Sequence, residues 1–279
     1  MQPSPPLTRD TIQSTLSATR LGRRIELFDC LPSTNREAAQ LAQAEVEHGT
    51  VVVADSQTAG RGRLSRTWFS PPGANLYCSI VLRVMRPPER LTEWLSWLPL
   101  ISALAAAEAI EQVSSIHVSV KWPNDLLISE RKVGGILCES GTGSRLGPFQ
   151  IIGIGINVNV DHEDWPADLR DSATSIWQER TIVVDRNRLL AQLLLELEQC
   201  VDELVIHGTN RLALAYNQRC STIGRMVKAT LANGDVVVGL AEGISQDGSM
   251  RLRPQATQPS SGTPEVVHLR VADIIHMGI

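Results

Sequence analysis

Aromatic residues are scarce in this 279-residue chain, at 4%, and so is any excess of charge: 26 lysines and arginines stand against 30 aspartates and glutamates, a net charge of -4. That balance leaves no broad positive field, so nucleic acid is not the expected partner. No run approaches the roughly 20 apolar residues that cross a bilayer, and the first ten residues are proline-rich where a signal would be basic and then apolar. No membrane association is expected, and the cytoplasm is the expected location. Cysteines are few and odd in number (Cys30, Cys78, Cys138, Cys200, Cys220) and sit widely spaced among apolar neighbours, which excludes a disulfide framework or a zinc spacing. They read as reduced, buried thiols. The histidines (His48, His117, His162, His207, His268, His276) also lack ligand spacing.

What is present is ample core material, with 43% hydrophobic and 20% charged residues. Dividing by roughly 150 residues per domain predicts one large domain and one small one. A loose tail and at most one short helix occupy residues 1–23. The segment Arg24 to Cys30 reads as a strand, followed by a helical run to Glu47 that stops at Gly49; Thr34 with Glu37 has the capping-box spacing of a helix start. Thr50 to Ala54 and Leu76 to Val84 read as strands, and Leu91 to Val113 as an alanine-rich helix. Further strands are expected at Ile116 to Trp122, Asp125 to Ser129, Val133 to Glu139 and Phe149 to Val160, and helices at Arg188 to Ile206 and Asn210 to Gln218. Beyond residue 221 short alternating runs are punctuated by Asn233-Gly234-Asp235 and Gln246-Asp247-Gly248, which are hairpin signals. The expected class is therefore α+β, a mixed sheet with helices over residues 24–220, followed by a small all-β barrel over 221–279.

Four segments carry chemistry. Gln57 to Asn75 is far longer than an ordinary connection and contains Gly60-Arg61-Gly62-Arg63-Leu64-Ser65-Arg66-Thr67-Trp68. Its glycines permit close backbone approach, its arginines suit a phosphate or carboxylate, and Trp68-Phe69 has no reason to stand exposed unless a ligand covers it. A solvated basic loop would explain the arginines but not the rings. Lys121-Trp122-Pro123-Asn124-Asp125 forms a corner at a strand end; an ordinary turn would explain Asn124 and Asp125, but not a lysine in apolar company. Lys132-Val133-Gly134-Gly135-Ile136-Leu137 places a lysine before a glycine pair, and Gly153-Ile154-Gly155-Ile156-Asn157 sets a polar residue in an apolar strand, where it needs a partner.

In this order and spacing the four segments resemble the catalytic domain of biotin protein ligases, over about residues 25 to 275. The resemblance implies a class II synthetase-like mixed sheet and an SH3-like C-terminal barrel. It implies ATP-dependent transfer of biotin to a lysine of a biotin carboxyl carrier protein through biotinyl-5′-AMP. ATP and biotin are then substrates and Mg²⁺ is expected, with its ligands unknown. Lys132, Arg63 and Asp125 are the implied catalytic residues. Ser33, Thr34, Asn35, Gln57, Arg61, Gly62, Arg63 and Lys132 are implied around biotin, and Arg63, Arg66, Trp68, Asn124, Lys132, Gly135 and Asn157 around ATP. Two roles stay open for Asp125: Mg²⁺ ligand, or acceptor of the incoming lysine's proton. No enzyme nucleophile is required, which agrees with the lack of a Ser/His/Asp or Cys/His arrangement.

The loop departs from the family's usual Arg-Arg-Gly-Arg by reading Arg63-Leu64-Ser65-Arg66, which puts its mobility and its grip on the intermediate in question. The short stretch before the first strand resembles the enzyme-only members, which lack a winged helix-turn-helix. Pairing into a homodimer is a further possibility that the resemblance raises. Three alternatives remain open: a lipoate or octanoate ligase of the same fold, although its Arg-Arg-x-Ser-Gly-Gly-Gly signature is absent; a biotin-responsive DNA-binding repressor; and a non-catalytic biotin-binding module.

Overall fold

In the computed structural model, which describes residues 4–83, 91–143, 145–255, 265–270 and 272–277, two β-sheets organise the chain. Helix α1 (Arg9–Thr15) is capped by Thr8, whose hydroxyl accepts from the Thr11 N–H. Then β1 (Ile25–Leu31), α2 (Thr34–Gln43) and β2 (Val51–Gln57) form a βαβ unit, the crossover that lets β1 and β2 pair in parallel. After the long loop come β3 (Leu76–Arg83), α3 (Leu91–Ser114), β4 (Ser119–Lys121), β5 (Asp125–Ile128), β6 (Arg131–Thr142) and β7 (Pro148–Ile156). The sheet order is β1-β2-β3-β7-β6-β5-β4, antiparallel everywhere except β1-β2. Helices α4 (Ile176–Arg180), α5 (Arg186–Ile206) and α6 (Asn210–Arg219) follow.

Strand alternation assigns the two faces of this sheet. Val51, Val53, Leu76, Cys78, Ile80, Leu82, Ile152, Ile154 and Ile156 belong to one core with α3 and α5. Each fully buried side chain of that kind is worth about 1.5–3 kcal/mol. The α3 contribution is mostly alanine (Ala103, Ala105, Ala106, Ala107, Ala109), which lets the helix lie close against the sheet. Val52, Ala54, Val81, Phe149 and Ile151 face the other way and are covered by Ala38 and Ala42 of the short helix α2. Because α2 is only ten residues long, it leaves the rest of that face open, and the open part is where the site lies.

The second sheet, β8 (Met226–Thr230), β9 (Val236–Ile244), β10 (Met250–Pro254), β11 (Val267–Leu269) and β12 (Asp273–His276), has the order β11-β10-β9-β8-β12 and is antiparallel throughout. Both expected hairpin turns form: Leu231 N–H bonds the Asp235 carbonyl at 2.8 Å, and Ser245 N–H bonds that of Ser249 at 2.8 Å. The sheet is fastened to the larger unit by backbone and side-chain bonds, among them Trp97 Nε1 to the Gln246 carbonyl at 2.7 Å and Trp122 N–H to Thr222 Oγ1 at 3.2 Å.

Several expectations need correction. Helix α2 starts at Thr34 and ends at Gln43, and the Thr34–Glu37 capping box does not form, because Ser33 is the N-cap and makes no side-chain cap bond. The Thr34 hydroxyl points instead to the groups beneath the helix, Gln57 and Ser79. Strand β7 stops at Ile156, so Asn157 lies just past it. Helix α4 and strand β12 were not anticipated; each is five residues or fewer, too short to show a period. Cys30 is exposed on β1, whereas burial pushes the thiols of Cys78, Cys138 and Cys200 up to about 12. The strands expected to end at Val84 and Val271 run one residue outside the described residues.

Candidate active site

The floor of the site is made by two rows of residues in register across the sheet. Tyr77, Gly155, Gly135 and Asp125 are successive partners across β3, β7, β6 and β5, and Ser79, Gly153 and Leu137 form the next row. Glycine is required at these places by what lies above. A Cβ on Gly155 would stand 2.7 Å from the Trp68 ring, one on Gly135 would stand 3.2 Å from it, and one on Gly153 would collide with Asn35. Lys132 reaches the same face through a bulge: Leu126 pairs with Gly134 while Leu127 pairs with Lys132, which leaves Val133 extra and reverses the side-chain parity. Val133 turns into the core, and the Lys132 chain runs back over Gly135.

Lys132 Nζ ion-pairs with Asp125 Oδ1 at 2.5 Å and lies 5.3 Å from the centre of the Trp68 ring. Its backbone is held on the side opposite β5, just past the end of β7, where its N–H bonds the Ser172 carbonyl at 2.8 Å and its carbonyl accepts from Thr174. Asn157 Nδ2 is directed to the carbonyls of Lys132 and Thr174 at 3.3 and 3.1 Å, so this nitrogen serves the lysine's strand end. Asn124, at the β4–β5 corner, gives Nδ2 to the Ile136 carbonyl and receives Arg63 Nη1 at 2.9 Å on Oδ1.

The glycine-arginine loop folds into a small hairpin over this floor. Arg61 pairs with Thr67, Gly62 N–H bonds the Arg66 carbonyl at 2.7 Å, and Arg66 N–H bonds that of Arg63 at 3.2 Å. The turn residues Leu64 and Ser65 both have left-handed backbones, φ 54° and 59°, as a type I′ turn demands. The three arginines diverge. Arg61 ion-pairs with Glu139 at 2.5 Å; Arg63 turns inward to Asn124 and the Ala272 carbonyl; Arg66 pairs through both nitrogens with Asp273 of β12. Burial pulls the Arg63 guanidinium below its usual range against the attraction of Asp125 and Asp273, though a guanidinium stays charged in proteins. The hydrogen bond to Asp273 holds the Arg66 guanidinium above its usual range.

Under the N-terminus of α2 the other end of the cleft is polar. Gln57 Oε1 accepts the Thr34 N–H at 2.9 Å, and its Nε2 donates to Ser70 Oγ at 3.0 Å, which in turn bonds the Trp68 carbonyl. The resulting cleft, about 660 Å³, is lined by every residue that the sequence nominated: Ser33, Thr34, Asn35, Gln57, Arg61, Gly62, Arg63, Arg66, Trp68, Asn124, Asp125, Lys132, Gly135 and Asn157. It is also lined by residues outside that set. Phe69 and Trp165 meet as tilted rings 5.7 Å apart, and Lys121, Glu130 and the β12 residues Asp273 to His276 close the end nearest the second sheet. Trp165 is thus a wall of the cleft as well as a packing residue. No group of three or more potential metal-ligating side chains occurs among the described residues, and Asp125 is the carboxylate at the centre of the cleft.

A sheet with this order, a glycine floor under paired cations and a small antiparallel sheet at one end define the fold of the biotin and lipoate ligases. Residues 27–159 match the family described as Biotin/lipoate A/B protein ligase, and residues 222–255 match Biotin protein ligase C terminal domain. The chain is 32% identical over 268 residues to the biotin--[acetyl-CoA-carboxylase] ligase of Mycobacterium tuberculosis, covering 95% of this chain and 97% of that one. It is 36% identical over 246 residues to the bifunctional ligase/repressor BirA of Bacillus subtilis, covering 88% of this chain and 74% of that one. Among solved structures, the biotin protein ligase of Aquifex aeolicus in complex with biotin and ATP superposes with a TM-score of 0.76 at 27% identity, covering 91% of this chain and all of the other. The chain belongs to the biotin/lipoate A/B protein ligase family.

Proposed function

We infer that this protein activates biotin with ATP and transfers it to a lysine of a biotin carboxyl carrier protein. The observation that carries this reading is the convergence of Lys132 and Arg63 on one glycine-floored cleft whose far end offers the Ser33, Thr34 and Gln57 side chains. A cyclic urea with a carboxylate tail matches that division: hydrogen-bonding groups at one end, cations at the other.

In the first step a carboxylate oxygen of biotin attacks the α-phosphorus of ATP, the bond to the bridging oxygen breaks, and pyrophosphate leaves with the electron pair. Two anions must approach one another, so the step needs a cation common to both, and Lys132 is placed for it. Lys132 exchanges Asp125 for the ligand's oxygens, and Arg63, already directed inward by Asn124, holds the phosphate. Magnesium bound with the nucleotide would supply further neutralisation of the phosphate charge. A single carboxylate beside the phosphates is a usual protein contribution to such an ion, and Asp125 fits it. In the second step the carrier lysine's amine attacks the acyl carbon of biotinyl-5′-AMP and AMP leaves. Asp125, once separated from Lys132, stands ready as the proton acceptor. Positioning and charge supply the catalysis, and no covalent enzyme intermediate is needed.

The carrier's approach has a natural place. Strand β5 stops pairing with β6 at Gly135, so among the described residues Cys138 to Thr142 have β7 on one side and no strand on the other. That open edge starts beside the cleft and suits a strand of a docking protein. The test is incubation of the protein with biotin, MgATP and a biotin carboxyl carrier domain, read by intact mass. One added biotin on the carrier's target lysine is expected, and adenylate formation without any transfer would remove the carrier from the account.

A further inference from the structure

A continuous chain of hydrogen bonds, buried at Ser79 and exposed at Arg61, runs from the polar end of the cleft to the loop that covers it, through two residues that the binding roles do not use. Ser79 Oγ on β3 lies 2.8 Å from Thr34 Oγ1 and 2.6 Å from Asn35 Oδ1. Asn35 Nδ2 donates to the Leu137 carbonyl at 3.1 Å and to Glu139 Oε2 at 2.7 Å. The same Glu139 oxygen takes Arg61 Nη2 at 2.5 Å. The Asn35 carboxamide lies across β7 in a slot that exists because residue 153 is glycine. Both Nδ2 protons are committed to the protein, so the carboxamide braces the site.

Proton counting gives this chain a direction. Asn35 Nδ2 faces two acceptors, which fixes the amide orientation and makes Oδ1 the side facing Ser79. A carboxamide oxygen only accepts, so the single Ser79 proton goes to Asn35. The Thr34 proton then has two acceptors, Ser79 Oγ at 2.8 Å and Gln57 Oε1 at 3.2 Å, and is spent within the protein. Toward the cleft, Thr34 Oγ1 has only lone pairs to offer. A ring N–H of a cyclic urea finds an acceptor there, and a ring oxygen at the same place would find no donor.

We propose that Ser79 and Glu139 are positioning residues for biotin activation: acting through Asn35, they fix Thr34 as an acceptor toward the ligand ring and anchor the Arg61 arm of the covering loop. The proposal rests on the biotin reading of the cleft. Glu139→Gln keeps an acceptor for Asn35 and removes only the charge that holds Arg61; Ser79→Ala leaves the Thr34 proton only the longer 3.2 Å contact to Gln57 Oε1, an oxygen already taken by the Thr34 N–H, so the hydroxyl is free to turn to the ligand.

The experiment is biotin-dependent ATP–pyrophosphate exchange by the unmodified protein and both variants, with biotin and with an analogue whose ring N–H is replaced by oxygen. Glu139→Gln should raise the KM for biotin about fivefold, the worth of a half-exposed ion pair, with the KM for ATP within about twofold. Ser79→Ala should narrow the preference for biotin over the oxygen analogue by at least about fivefold, because the freed Thr34 hydroxyl can donate to the ring oxygen. A merely structural role for Ser79 would weaken both ligands alike. An unchanged preference in Ser79→Ala, or an equal rise in both KM values in Glu139→Gln, would overturn the proposal while leaving the ligase reading intact. Absence of exchange in the unmodified protein would overturn that reading and this proposal together.

Discussion

At the scale of single residues, Lys132 has the clearest task. Its strand end is fixed by Ser172, Thr174 and Asn157, and its ammonium waits on Asp125 within the cleft. Lys132→Ala removes the cation proposed above to serve carboxylate and phosphate together. It should lower the rate of adenylate formation by at least about a hundredfold, the usual scale for a lost electrostatic contact to developing charge, with an unchanged thermal midpoint. Near-normal turnover would remove Lys132 from its role. The lysine was legible in the sequence because a Lys-x-Gly-Gly run is local, and so were the arginine loop and the Lys-Trp-Pro-Asn-Asp corner. Ser79 and Glu139 were not legible. Their importance comes from cross-strand register, Ser79 beside Gly153 beside Leu137, and the separation of 44 residues between Ser79 and Asn35 leaves no pattern to read.

At the scale of elements, the covering loop is the part most particular to this chain. A type I′ turn favours glycine at its second central position, and here Leu64 and Ser65 occupy both, each in a left-handed conformation that costs a side chain roughly 1 kcal/mol or more. The hairpin is held against that cost by Arg61 on Glu139, Arg63 on Asn124 and Arg66 on Asp273. Ser65→Gly should therefore stabilise the closed loop and slow release of the adenylate about fivefold, measured by dilution of the preformed complex; faster release would show that the turn is not under strain. Helix α5 supplies a second test. Glu198 receives the backbone N–H groups of Thr19, Arg20 and Leu21 and the Thr19 hydroxyl, tying the segment after α1 to the core. Burial works against ionisation of this carboxyl, but those donors prevail and hold it below its usual range. A depressed carboxyl stabilises the fold above the unfolded value and loses that contribution as pH falls through the folded one. Glu198→Gln should cost about 1–3 kcal/mol in urea unfolding at neutral pH, with the difference shrinking below about pH 4.

At the scale of the whole molecule, two sheets share one cleft. The larger was foreseen nearly strand by strand, because alternation and turn residues are local signals. The closing of the cleft by β12 was not foreseen, since Asp273 to His276 is a four-residue strand whose use depends on docking against Arg63 and Arg66. The open edge of β6 carries its own prediction. Ser140→Pro should lower the kcat/KM for the carrier at least about tenfold by removing an outward backbone donor, a change that an edge strand tolerates. Biotin-dependent exchange should be unaffected, and an equal fall in both activities would show that the edge is not the docking surface.

The central claim is that the cleft activates biotin as an adenylate. ATP–pyrophosphate exchange, measured at fixed Mg²⁺ with biotin, lipoate and octanoate added in turn, tests it most directly. Exchange with biotin alone is the predicted result, and exchange with only lipoate or octanoate, or with none of the three, would contradict it.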